Sequence, residues 1–167
     1  GTTAVTEAGG TDTFTVVLTA EPDSDVVISV TSGDTGEATV SASSLTFTTG
    51  NWDSAQTITV TGVDDDIIDG TISTTVTLAV VDGSSDDNFD SLANQTVTAT
   101  TADNDSAGFT VTQSSGTTAV TEAGGTDTFT VVLTAEPDSD VVISVTSGDT
   151  GEATVSASSL TFTDSNW

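Results

Sequence analysis

The stretch Gly1 to Trp52 returns as Gly116 to Trp167 with two changes only, Thr49 becoming Asp164 and Gly50 becoming Ser165. The offset, from Gly1 to Gly116, is 115 residues. Solenoid repeats run to about 20–50 residues, so a period of this length marks a whole globular domain. Asn104, Asp105 and Ser106 make a polar break before an alternating segment, Phe109 to Thr112. The expected modules are therefore residues 1–106, without an opening strand, and residues 107–167, the N-terminal half of a near-identical second module. The 167 residues then read as a window of a longer array, unless another chain completes the second copy.

Within a module, apolar and polar residues alternate with period two, as in Thr13 to Thr19 (TFTVVLT), Val26 to Thr31 (VVISVT) and Gln56 to Val60 (QTITV). That is the pattern of strands buried on one face. Further strands are expected near Ala4 to Thr6, Ala38 to Ser41, Leu45 to Thr48, Thr74 to Val81 and Thr96 to Thr101. Gly, Asp, Asn and Ser clusters separate them, and no segment has helical periodicity. The expected fold is all-β, an antiparallel immunoglobulin-like β-sandwich, repeated in tandem. Its core is expected from Phe14, Leu18, Val27, Ile28, Leu45, Phe47, Ile58, Val60 and Leu78. High net charge with few aromatics suggests disorder, but the alternation outweighs it.

The charge is one-sided: 26 Asp and Glu side chains and no Lys, Arg or His. Two carboxylates 4 Å apart repel by about 1 kcal/mol in water and about 4 kcal/mol at an effective dielectric near 20. No side chain of the protein can offset this, so cations are expected to belong to the folded state. Without Lys or Arg the chain cannot neutralise phosphates, which excludes nucleic acid and direct binding to anionic membranes. With no Cys there are no disulfides or thiolate metal sites. The absence of His, Cys, Lys and a G-x-S-x-G elbow leaves nucleophilic catalysis without candidates, so an enzyme is not expected. The missing Lys also removes the nucleophile of an intramolecular isopeptide bond.

The acids cluster. Glu7 ends the first strand, Asp34 lies in SGDTGE, Asp64, Asp65, Asp66 and Asp69 form DDDIID, and Asp103, Asn104 and Asp105 form DND. Turns account for isolated acids such as Asp23, Asp25, Asp53, Asp82 and Asp90, whereas three adjacent aspartates suit a hard cation that takes six to eight oxygens. DDDIIDG lacks the spacing of an EF-hand loop, and no glycine-rich calcium nonapeptide is present.

The order VTEAGG (Val5 to Gly10), LTF followed by Gly50, ITV then DDDIID (Ile58 to Asp69), and the closing DND resembles the Calx-β domain, over the first module and about half of the second. The resemblance implies an immunoglobulin-like sandwich that holds several Ca²⁺ ions at one tip. Its ligands would be Glu7, Asp34, Asp64, Asp65, Asp69, Asp103 and Asp105, with Asn104 offering a carbonyl and Asp66 pointing outward. Glu122 and Asp149 would be the incomplete set of the second copy. The chain departs from the family's pattern in the middle Asn of its terminal triplet and in Asp69 where Glu is usual.

The expected role is structural: a calcium-stiffened repeat of a long extracellular or cell-surface stalk, fibre or adhesin, whose partners are neighbouring modules and other copies in a fibre. The alternative is a calcium-dependent glycan- or ligand-binding module with Trp52 and Trp167 as stacking platforms. Packing of Trp52 over the sandwich edge is preferred to that role.

Overall fold

A computed structural model describes all residues, 1–167. The chain divides into two compact units, one of residues 1–65 and 69–104, the other of residues 66–68 and 105–167.

The first unit contains eight strands: β1 (Thr2–Thr6), β2 (Thr11–Val16), β3 (Val26–Ser32), β4 (Ala38–Val40), β5 (Ser44–Phe47), β6 (Gln56–Gly62), β7 (Ile72–Val80) and β8 (Gln95–Ala102). They form a five-stranded sheet, β1-β8-β7-β3-β5, and a three-stranded sheet, β2-β6-β4. Both sheets feed one core: Val26, Val30, Phe47, Val76 and Ala99 from the first meet Ala38, Ile58 and Val60 from the second, all essentially inaccessible to solvent. Two sheets over one core make a β-sandwich, and the expected all-β sandwich is what the first unit forms.

Three details depart from the sequence reading. The pairing is antiparallel except for β1 with β8, which run parallel with Thr2 opposite Thr98 and Thr6 opposite Ala102. Val27 is not in the core, because the inward residues of β3 are Val26, Ile28 and Val30; neighbours on a strand face opposite ways, so Val27 and Ile28 cannot both point in. Phe14 is half-buried at the edge of the core instead of inside it.

Two contacts fix the ends of this sandwich. At one end, Gly62 passes so close to β1 that a Cβ added there would meet the Thr6 carbonyl oxygen at 2.2 Å. Its N–H donates to the Gly10 carbonyl at 3.0 Å. At the other end, buried Asp86 accepts N–H groups from Asp23, Ser24 and Asn88, tying the β7–β8 connection to the β2–β3 turn. These bonds, that from Asn88 foremost, hold its carboxyl below the ordinary aspartate range despite opposing burial.

The second unit contains β9 (Phe109–Gln113) paired antiparallel with β10 (Phe129–Leu133), and β11 (Val141–Ser144) paired antiparallel with β12 (Ser159–Phe162). Val141 lies opposite Phe162, the register that Val26 and Phe47 hold in the first unit.

Two substitutions test these fastenings. Gly62→Ala forces methyl against backbone and is expected to cost about 1–3 kcal/mol, which thermal unfolding registers as a melting temperature lower by roughly 4 °C or more. For Asp86→Asn the expectation depends on pH. A carboxyl lowered in the folded state stabilises above its unfolded pKa and loses that contribution as pH falls through the folded pKa. The variant should therefore melt below the parent at pH 7, and the gap should close in acid below about 3.8. A gap that is unchanged in acid contradicts the assignment.

Candidate metal centre

Where β1 ends, the entry to β4, the loop after β6 and the exit of β8 meet at one end of the first unit. Each brings an acid. Glu7 follows β1, and its N–H donates to the Ala102 carbonyl at 3.1 Å, which continues the β1–β8 ladder by one residue. Glu37 precedes β4; its carbonyl accepts the Val63 N–H at 2.9 Å and the Thr101 hydroxyl at 3.2 Å. Gly62 brings the β6 backbone against Thr6, so the acidic loop that begins at Asp64 starts beside Glu7.

Carboxylate oxygens of Glu7, Glu37 and Asp69 all lie within 4.8 Å of one another, and oxygens of Glu7 and Asp103 are equally close. Glu7 is 1% exposed and Glu37 9%. Glu7 Oε2 accepts the Asn104 backbone N–H at 3.2 Å, but its Oε1 is buried with no hydrogen-bond partner. Oε2 of Glu37 is buried and unpartnered too. Burial pushes the Glu7 carboxyl above the ordinary glutamate range; the Asn104 N–H opposes this, while the charges of Asp103, Asp65 and Asp69 add to it. Glu37 is raised in the same way, by burial first and then by Asp69, Asp65, Glu7 and Asp34.

The other acids singled out in the sequence have varied surroundings. Asp65 is half-buried and close enough to raise both glutamates. Exposed Asp64 accepts from the Asn104 side-chain amide through Oδ1 at 3.3 Å, the amide nitrogen facing the carboxylates. Asp103 Oδ2 accepts the N–H of Gly70 at 2.8 Å, and Gly70 has φ +76°, a left-handed conformation that suits glycine. That bond fastens the end of the acidic loop to the exit of β8. Asp34 sits near Glu37, but its Oδ1 accepts the Gly36 N–H at 2.9 Å and closes its own turn. Asp66 is exposed. Asp105 is half-buried and is the first residue of the second unit after the loop segment 66–68. In the second unit Glu122 is exposed, and Asp149 repeats the turn of Asp34 by accepting the Gly151 N–H at 2.9 Å.

Glu37 is the residue the sequence reading passed over. It shares SGDTGE with Asp34, and the usable sign was its position immediately before a strand, which commits its side chain to a sheet face rather than to the turn. Trp52 packs half-buried against the core, and its carbonyl accepts the Leu18 N–H at 3.2 Å.

The donor set is oxygen alone, which is the chemistry of a hard cation. Oxygens at about 2.3–2.6 Å from one Ca²⁺ lie no more than roughly 5 Å apart, so Glu7, Glu37 and Asp69 fit a shared ion. Without a cation, like charges at this spacing repel by roughly 3–4 kcal/mol per pair at an effective dielectric near 20.

No family model matches the chain, and no curated protein matches it. Among solved structures it is similar to SSP-19, an MSP-domain-like protein of Caenorhabditis elegans, with 13% identity, 61% of this chain and 92% of that one covered, and a TM-score of 0.40. It is similar to WR4, a C. elegans MSP family member, at 15% identity, with 61% and 91% covered and a TM-score of 0.38. It is also similar to CBD12 from CALX1.2, at 10% identity, with 85% and 74% covered and a TM-score of 0.42.

Proposed function

We propose that the first unit is a calcium-binding β-sandwich and that its repeat serves as a structural module of an extracellular stalk, fibre or adhesin. The observation that carries the calcium reading is the pair of buried, unpartnered oxygens, Glu7 Oε1 and Glu37 Oε2, in a cluster that includes Asp69. A buried carboxylate without a partner is costly, and no cationic side chain exists anywhere in the sequence to supply one. Glu7, Glu37, Asp69 and Asp103 would hold the ion, with Asp65 adding charge beside them. Ca²⁺ supplies the positive charge that the chain lacks.

The rest is done by the chain's own groups. The ladder from β1 to β8 and the two bonds to the Glu37 carbonyl keep both glutamates in place whether or not they are neutralised. Asn104 donates to Glu7 and Asp64, so the segment leaving β8 is fastened to the same cluster. Ordering of that segment is the route by which calcium would stiffen the link to the next module. Near-identity of the two copies favours a spacer, whose use lies in length, over a unique binding surface. An extracellular setting supplies millimolar Ca²⁺, and a chain without Lys or Arg gives trypsin nowhere to cut. No catalytic role is proposed, and the glycan-binding alternative has less support because Trp52 is packed against the core.

For a site of Kd about 10⁻⁴ to 10⁻³ M, 1 mM Ca²⁺ adds on the order of 0.4–1.4 kcal/mol per ion. The melting temperature of the chain is therefore expected to rise by several degrees between EDTA and 1 mM Ca²⁺. Glu37→Gln should lose most of this rise while melting in EDTA no lower than the parent, because it removes repulsion from Glu7 and Asp69. Equal melting of the parent in EDTA and Ca²⁺, with no heat of Ca²⁺ binding by calorimetry, would falsify the calcium reading.

A further inference from the structure

In a chain with 26 acids, the outer face of the smaller sheet of the first unit carries none. On β2 and β6 every residue that points away from the core is a threonine: Thr11, Thr13 and Thr15 on one strand, Thr57, Thr59 and Thr61 on the other. Asp12 is the one acid within these strands. It has the parity of Phe14, and its carboxylate accepts the Ala4 N–H at 3.1 Å and the Thr13 N–H at 2.7 Å.

The register pairs the threonines across the strands, Thr11 with Thr61, Thr13 with Thr59 and Thr15 with Thr57. The neighbouring pair, Gly10 and Gly62, is joined through the backbone at 3.0 Å. Bonded and unbonded pairs alternate along an antiparallel ladder, so all three threonine pairs are of the unbonded, closer type. They form a lattice with about 4.5 Å between paired Cα atoms and about 6.8 Å between threonines two apart on one strand. None of the six hydroxyls is spent inside the chain. On the larger sheet, by contrast, the hydroxyls of Ser29, Thr31 and Thr100 donate to backbone carbonyls of neighbouring strands.

Threonine is stiff at χ1, so each hydroxyl and methyl is presented with little entropy left to lose. The hydroxyl both donates and accepts, and the methyl restricts the orientations of the water next to it. A ligand suited to this face is uncharged, donates and accepts hydrogen bonds, and repeats in two dimensions. A glycan would call for an aromatic platform, and none of the outward positions is aromatic. Crystalline water meets all three requirements. The short repeat of hexagonal ice is close to the pair spacing, and the spacing along the strand approaches its long repeat.

We propose that the threonine face of the β2–β6 pair binds the surface of ice crystals. The twist of a sheet turns successive pairs relative to one another, which confines the match to a small patch. Adsorption to the crystal, and not a large depression of freezing, is therefore the expected effect. The calcium cluster is not involved, since its acids lie outside these two strands.

The test is retention of the whole chain, in millimolar Ca²⁺, by a slowly growing ice front, measured against an inert dye. Retention several-fold above the dye is expected. T13Y/T59Y covers the centre of the face with side chains that keep β propensity, and should lose most of the retention while melting within a few degrees of the parent. T75Y puts the same ring on the exposed outer face of the larger sheet and should leave retention unchanged. If T13Y/T59Y melts well below the parent, T11Y/T57Y at the exposed corners of the face takes its place. Retention of the parent no greater than that of the dye overturns the proposal. So does equal retention by the parent and a folded face variant, or a loss in T75Y as large as that in the face variant.

Discussion

The placing of two glutamates, Glu7 and Glu37, at one end of a hydrophobic core constrains everything around them. Desolvation raises both, and neighbouring aspartates raise them further. Proteins usually bury a carboxylate against Arg, Lys or a ring of N–H donors. Here one N–H, from Asn104, reaches Glu7, and the chain contains no cationic side chain. The backbone nevertheless grips both residues firmly through ladder and carbonyl bonds, so the geometry is held by groups that do not offset the charge. This separation of scaffold from charge compensation is what a cation site requires, because the ligand oxygens stay in position while their partner comes and goes.

Local pattern made much of the sandwich legible. Period-two alternation located the strands, and Gly, Asp and Asn clusters located the turns. What it missed are relations between distant residues. Nothing near Thr2 reveals that its partner on β8 runs in the same direction, since that pairing joins opposite ends of the unit. Alternation along β3, by contrast, sets Val26 with Ile28 and Val30 and puts Val27 on the face of Ser29 and Thr31, so the pattern itself, followed strictly, turns Val26 inward. Glu37 belongs with the β1–β8 pairing: its carbonyl is held by Thr101, 64 residues away, and by Val63. Asp34 looked equivalent to it in sequence, yet its carboxylate closes a turn with Gly36, two residues on.

The repeat was the plainest feature of the sequence and takes on physical meaning beside the two units. In the first unit the repeated residues are covered by strands β6 to β8, whereas in the second unit β10 pairs with β9, which lies before the repeat, and β11 pairs with β12. Two-stranded ribbons are marginal by themselves, and Val120, Val132 and Val142 of the second unit are exposed.

The parallel pairing of β1 with β8 bears on how the module would respond to tension. Chain enters at the start of β1 and leaves at the end of β8, and parallel pairing puts these points at opposite ends of the five-residue ladder. A pull applied at these two points would slide the two strands past each other. In that geometry the ladder bonds share the force and must fail together, whereas an antiparallel pair opened from one end gives up its bonds singly. Asn104 lies just past the end of β8 and bonds Glu7 just past the end of β1, so an ion held there would tie the two strands together at that end of the ladder.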